Sequence, residues 1–196
     1  MDGLAQGLSI SMPSIDDCAE DSLSALTRTS RVFDLIIVEQ ADERVEGRSR
    51  TIAASVFKTG RPVLIVPCVQ VAPAALRTVL IAWDGSAPAA RALGDALPIL
   101  ARAEHVSIVQ VDGRSSAQSD GLALKQHLAR HGMDADIKRA SRSGSIGRTL
   151  LSYAGDVHAD LLIMGAYGHS RLREQIFGGT TNTVMERMTI PVLMSP

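Results

Sequence analysis

The chain has 196 residues, a formal net charge of −1, 45% hydrophobic residues and 3% aromatic ones. That length can bury one sizeable core, or one domain and part of another, and the scarcity of aromatics makes the core aliphatic. A near-neutral charge without a basic block argues against non-specific nucleic-acid binding. No apolar run approaches the ~20 residues of a membrane span, and the N-terminus lacks a basic-plus-apolar leader. Cys18 and Cys68 have no metal or redox spacing, so they are expected as reduced thiols of a cytoplasmic protein.

In chain order, residues 1–20 read as a disordered segment or a stray strand, the latter from the alternation Leu8-Ser-Ile-Ser-Met12. Residues 21–75 contain an echo of the C-terminal part of the chain. Phe33-Asp34-Leu35-Ile36-Ile37-Val38 resembles Ala159-Asp160-Leu161-Leu162-Ile163-Met164, and Arg61-Pro62-Val63-Leu64-Ile65-Val66-Pro67 resembles Ile190–Pro196. Residues 21–75 therefore read as the last strands and helices of a domain, and residues 76–196 as its complete copy.

The complete copy alternates strands and helices. Val79–Trp83 is a continuous apolar run, as expected of a strand buried on both faces. Ser86 opens a helix with Ala89, Leu93, Leu97 and Leu100 on one face, and Pro98 is expected to kink it. Val106–Val111 is the second strand. Leu124 and Leu128 mark a helix that stops at Gly132. Ala135–Ala140 carries Asp136, Lys138 and Arg139, which points to a sheet edge. Ser143 or Ser145 caps the next helix. Leu161–Met164 is the fourth strand, Thr180 or Thr181 caps the last helix, and Pro191–Met194 is the fifth strand. The alternation implies an α/β fold: an open five-stranded parallel sheet with helices on both faces.

The stretch 165–181 carries the chemistry. Gly165 and Gly168 follow the fourth strand, and Gly178 and Gly179 precede Thr180, Thr181 and a helix. Glycine lets the backbone approach an anion closely, and a helix N-terminus offers unpaired N–H groups with the positive end of its dipole. The spacing is neither a Walker loop nor a Rossmann fingerprint. The echo at Glu39-Gln40-Ala41-Asp42 replaces the first glycine pair with two carboxylates, which repel phosphate. One candidate site is therefore expected, in residues 76–196.

The pattern Gly165-x-x-Gly168, nine residues, Gly178 and a small residue resembles the nucleotide-binding signature of the universal stress proteins. The resemblance implies strand order 3-2-1-4-5, which agrees with a charged third strand at an edge. It implies ATP, possibly with Mg²⁺, as ligand, and a stress-response regulator as function. It implies that Asp84 of Asp84-Gly85-Ser86 meets the nucleotide and that the backbone near Val111 meets adenine. The family's ATP binders carry Ser or Thr where this chain has Gly179, so one hydroxyl contact is missing. The fifth strand forms the family's dimer contact. Here that implies a homodimer, or pairing of Val63–Val66 with Val192–Met194 within the chain.

Other readings stay open. Asp84-Gly85-Ser86 is equally a turn with a helix cap. His169 could contact a phosphate or serve as an acid, and Arg171 and Arg173 suit solvated surface. His127 and His131 have the i,i+4 spacing of a metal pair, yet a helix C-terminus also favours histidine. Gly144-Ser145-Ile146-Gly147 reads as helix capping. With no nucleophile or general base in view, turnover is expected to be slow at most. The alternative function is a member without nucleotide, acting as a dimerisation or interaction module.

Overall fold

The computed structural model describes residues 20–40, 48–69, 75–112, 118–166 and 179–196. The segment Leu8–Met12, Cys18 and the positions Gly168, His169, Arg171, Arg173 and Gly178 lie outside them. Six helices and seven strands occur among the described residues. They run α1 (Glu20–Thr29), β1 (Ile36–Glu39), α2 (Arg48–Lys58), β2 (Val63–Val66), β3 (Thr78–Ala82), α3 (Ala87–Leu100) and β4 (His105–Val111). After these come α4 (Gln118–Arg130), β5 (Asp136–Ala140), α5 (Ile146–Asp156), β6 (Leu161–Gly165), α6 (Gly179–Arg187) and β7 (Val192–Ser195). A 3-10 turn, Ser30–Val32, follows α1.

The strands form one seven-stranded sheet in the order β1-β2-β7-β6-β3-β4-β5. The five strands β5-β4-β3-β6-β7 reproduce the order 3-2-1-4-5 of the C-terminal copy, and all their pairings are parallel. β1 and β2 are parallel to each other, but β2 meets β7 antiparallel, with Val63 opposite Met194, Leu64 opposite Leu193 and Ile65 opposite Val192. The apolar fifth strand is thus not an edge. Of the two arrangements expected for it, the chain adopts the internal one.

Alternation along the strands divides the aliphatic core between two faces. Leu80, Val109, Leu162, Met164, Val192 and Met194 pack with Ile52 and Val56 of α2, Leu150 and Ala154 of α5, and Val184 and Met188. Val79, Ile81, Ile108, Leu161, Ile163 and Leu193 pack with Ala92, Leu93, Ala96 and Leu100 of α3 and with Leu124 and Leu128 of α4. β5 is the charged edge: Asp136, Lys138 and Arg139 are exposed, and Lys138 lies 4.0 Å from Asp136.

Helix ends follow their local chemistry. Ser86 caps α3, its Oγ accepting from Ala89 N at 3.3 Å, and Ser145 caps α5, accepting from Arg148 N at 3.2 Å. Pro98 stays inside α3, which runs on to Leu100. Gly132, at φ +77°, ends α4: its N–H donates to Ala129 O and that of Met133 to Leu128 O. One expectation fails. α6 begins at Gly179, so Thr180 and Thr181 stand in its first turn and neither is the cap.

The Ser55 hydroxyl of α2 is fully buried and has no hydrogen-bond partner among the described residues. Burying a lone hydroxyl costs on the order of 1–3 kcal/mol. Ser55→Ala is therefore expected to stabilise the protein by about 1 kcal/mol, raising the melting midpoint by about 2–4 °C. An unchanged or lower midpoint in a thermal melt would contradict this.

Candidate functional site

Sheet register brings the predicted residues to one rim. β3, β4, β5, β6 and β7 run in the same direction, so Ala82, Val111, Ala140, Gly165 and Ser195 all end on the same side. The chain order reverses between β3 and β6, which is where parallel α/β sheets open a crevice for ligands. Past the strands the ladder continues: Trp83 N donates to Val109 O at 2.9 Å, Asp112 N to Ala140 O at 2.9 Å, and Ala166 N to Ser195 O at 2.8 Å.

Asp84, Gly85 and Ser86 form the turn from β3 to α3. Asp84 Oδ1 accepts from Ser86 N at 2.9 Å, and Gly85 takes φ +74°, a conformation that glycine adopts without strain. The carboxylate is exposed at the rim and one of its oxygens serves the turn. α3 offers few donors to an anion. Pro88 has no N–H, and that of Ala89 is taken by the Ser86 hydroxyl.

Gly165 has a packing reason of its own. A Cβ at that position would stand 2.5 Å from Ala89 N and 2.7 Å from Pro88 C. The missing side chain is what lets the first turn of α3 rest on the end of β6.

α6 offers the second half of the rim. This helix is described from Gly179 onward, and the first turn of a helix leaves its N–H groups without acceptors inside the helix. Among the described residues, nothing lies within 4 Å of a Cβ built at Gly179. Thr180 is half-buried, and Thr181 is buried at 3% exposure. Thr183 Oγ1 donates to Gly179 O at 2.6 Å. Gly147 sets the position of α6: a Cβ there would lie 2.8 Å from both Thr180 O and Thr183 Cβ. The stretch Gly144–Gly147 is therefore a turn, a cap and a helix contact, with Gly144 at φ +73°.

The model of the universal stress protein family matches residues 75–196. The chain belongs to this family. A curated relative, Universal stress protein Slr1230 of Synechocystis sp., is 28% identical over 184 residues, covering 90% of this chain and 60% of its own. A universal stress protein of known structure from Archaeoglobus fulgidus DSM 4304 has a TM-score of 0.71 at 20% identity, covering 88% of this chain and 65% of its own. The chain thus spans less than two thirds of the length of either. A universal stress protein solved in complex with cAMP overlaps 59% of this chain and 94% of its own at 21% identity. Its TM-score of 0.44 is too low to carry a ligand across.

In this universal stress protein, the rim gathers Asp84, Gly85, Val111 and Gly165. His127 and His131 sit elsewhere, at the end of α4, with ring centroids 4.8 Å apart, and no cluster of three metal-ligating side chains occurs among the described residues. Sequence reasoning missed the role of Gln40. It is buried, its Nε2 donates to Met185 O at 2.7 Å, and its Oε1 accepts from Cys68 N at 3.2 Å. It thereby serves one of the carbonyls that the end of α6 leaves unpaired. Nothing in local sequence marks an amide that acts 145 residues away.

Proposed function

We propose that this universal stress protein binds an adenine nucleotide, ATP with or without Mg²⁺, as a regulator in the stress response. In this reading residues 76–196 are the complete domain and residues 21–75 a partial repeat that completes its sheet. The observation that carries it is the rim itself, where Gly165 ends β6 against the first turn of α3, next to the Asp84–Ser86 turn. Phosphates would take the α6 end, since α3 offers few donors. The Asp84 carboxylate would face the ribose, and the backbone at Val111 the base. Binding rather than turnover is the activity, because the described rim holds no paired acid and base. Calorimetric titration with ATP tests this: a folded protein that takes up no nucleotide at millimolar concentration rejects it.

Gly179→Ser sharpens the test. Among the described residues nothing crowds a Cβ there, so stability should stay within about 0.5 kcal/mol. A hydroxyl at the helix N-terminus should tighten ATP binding about tenfold, the worth of one charge-assisted hydrogen bond. Unchanged affinity would place the phosphates elsewhere.

A second reading has its own observation. The turn accounts for one oxygen of Asp84, and packing accounts for Gly165. A protein in which both are purely structural would act as an interaction module, with its site empty under the same titration.

A further inference from the structure

Apart from the glycine rim, a basic concavity lies between the two N-terminal helices. Between α1, the 3-10 turn and α2 lies a shallow, open cleft of about 360 Å³ lined by Ser24, Thr27, Arg28, Arg31, Ala54 and Lys58. Three of the six are cations, two carry hydroxyls, and none is a carboxylate. The ion pairs among the described residues join Arg77 to Glu104, Lys125 to Asp134 and Lys138 to Asp136, and none engages Arg28, Arg31 or Lys58. Three positive charges around one concavity, uncompensated among the described residues, repel each other and focus a field on it. The protein as a whole carries a formal charge of only −1.

Helix ends supply part of the reason for these charges. Arg28 and Lys58 each occupy the last turn of a helix, where the dipole favours a cation. That explains each alone but not their convergence with Arg31 of the 3-10 turn on one cleft. The turn is itself held in place: the Arg61 guanidinium donates to the Arg31 carbonyl, at 3.0 Å through Nε and also through Nη2. Arg61 thus spends its side chain on the backbone of Arg31 and leaves the Arg31 guanidinium to the cleft.

We infer that the α1–α2 cleft binds a phosphate-bearing anion, with Arg28, Arg31 and Lys58 neutralising its charge and Ser24 and Thr27 beside it. The chemistry suits a free phosphorylated metabolite or the headgroup of an anionic lipid. Guanidinium forks recognise phosphate oxygens in pairs, and the ammonium adds a point charge.

The experiment titrates the full chain with inorganic pyrophosphate, and in parallel mixes it with phosphatidylcholine vesicles with or without phosphatidic acid. Pyrophosphate binding should weaken at least tenfold in the double variant Arg31→Gln/Lys58→Gln and weaken with rising salt. Because the Arg31 carbonyl, not its side chain, meets Arg61, this variant keeps that contact. Ser24→Glu, at an exposed helical position, places a carboxylate in the cleft and should abolish binding without a large substitution. Gly179→Asp, which disables the glycine rim, should leave cleft binding unchanged, so failure here and failure of the nucleotide reading are separable. Vesicle binding that depends on phosphatidic acid and is lost in both cleft variants assigns the lipid source; pyrophosphate binding alone assigns the soluble one. The inference is overturned if the wild type takes up neither probe, or if the cleft variants bind both as well as the wild type.

Discussion

Gly165→Ala is expected to destabilise the protein by about 2–3 kcal/mol, the range for forcing extra atoms into a packed contact. The added methyl would stand 2.5 Å from Ala89 N, a backbone atom in a capped helix turn that cannot swing aside. Relief requires moving α3 off β6. α3 carries Ala92, Leu93, Ala96 and Leu100 into one face of the core, all at 5% exposure or less, so the displacement would loosen several contacts together. A melting midpoint lower by about 4–12 °C is the corresponding signal in a calorimetric scan. A variant that melts with the wild type would show that the helix gives way freely. This burden on Gly165 also decides how the nucleotide site must be probed. A carboxylate placed there would remove binding by disturbing the fold as well as by repulsion. Gly179, where no described residue crowds a Cβ, is the better position at which to vary charge and hydroxyl.

The second large effect concerns β7. Removal of residues 1–74 leaves the segment 75–196 with β7 as a bare edge. Val192, Leu193 and Met194 are completely buried in the full chain, and β2 supplies their antiparallel partner. An apolar, uncharged edge is a template for pairing, and two such edges can meet around a twofold axis. The truncated protein is expected to dimerise at micromolar concentration in sedimentation velocity, with the full chain lacking that association. Met194→Lys in the truncated protein should return it to monomer, since edge lysines block pairing. A truncated protein that stays monomeric would mean that β2 contributes packing without guarding the edge.

The strands are legible because their chemistry is one-dimensional. Runs such as Leu161–Met164 are apolar at every position, and a strand covered on both faces leaves no other reading. The charges of β5 announce an edge by the same logic. Helix ends are legible only where a residue type is dedicated to them. Gly132 marks the end of α4. α5 ends by the same pair of bonds, His158 N to Gly155 O and Ala159 N to Ala154 O, but there His158 takes φ 52° and no glycine signals it. The start of α6 misleads because Thr180 and Thr181 are good cap residues. The helix instead begins one residue earlier, at Gly179.

The site is legible as a place and less so as a set of roles. Spacing puts Gly165 and Asp84 on one rim, and register agrees. Sequence could not reveal that Gly165 is required by a neighbouring helix, since that need comes from Pro88 and Ala89, far away along the chain. Nor could it show that an amide at Gln40 serves the end of α6. Such roles arise from the third dimension and leave no local pattern.

The seam between β2 and β7 also has a cost in time. Val63 and Met194 are paired across about 130 residues of chain. At a synthesis rate of roughly 5–20 residues per second, β2 leaves the ribosome roughly 7–26 s before its partner exists. β1 and β2, parallel strands joined through α2, therefore wait through a period of seconds with their partner strand unmade. Throughout it the outer side of β2 presents Val63, Leu64 and Ile65 with their hydrogen-bonding groups open to any other nascent chain. In this protein a strand made about 130 residues later closes off the early half.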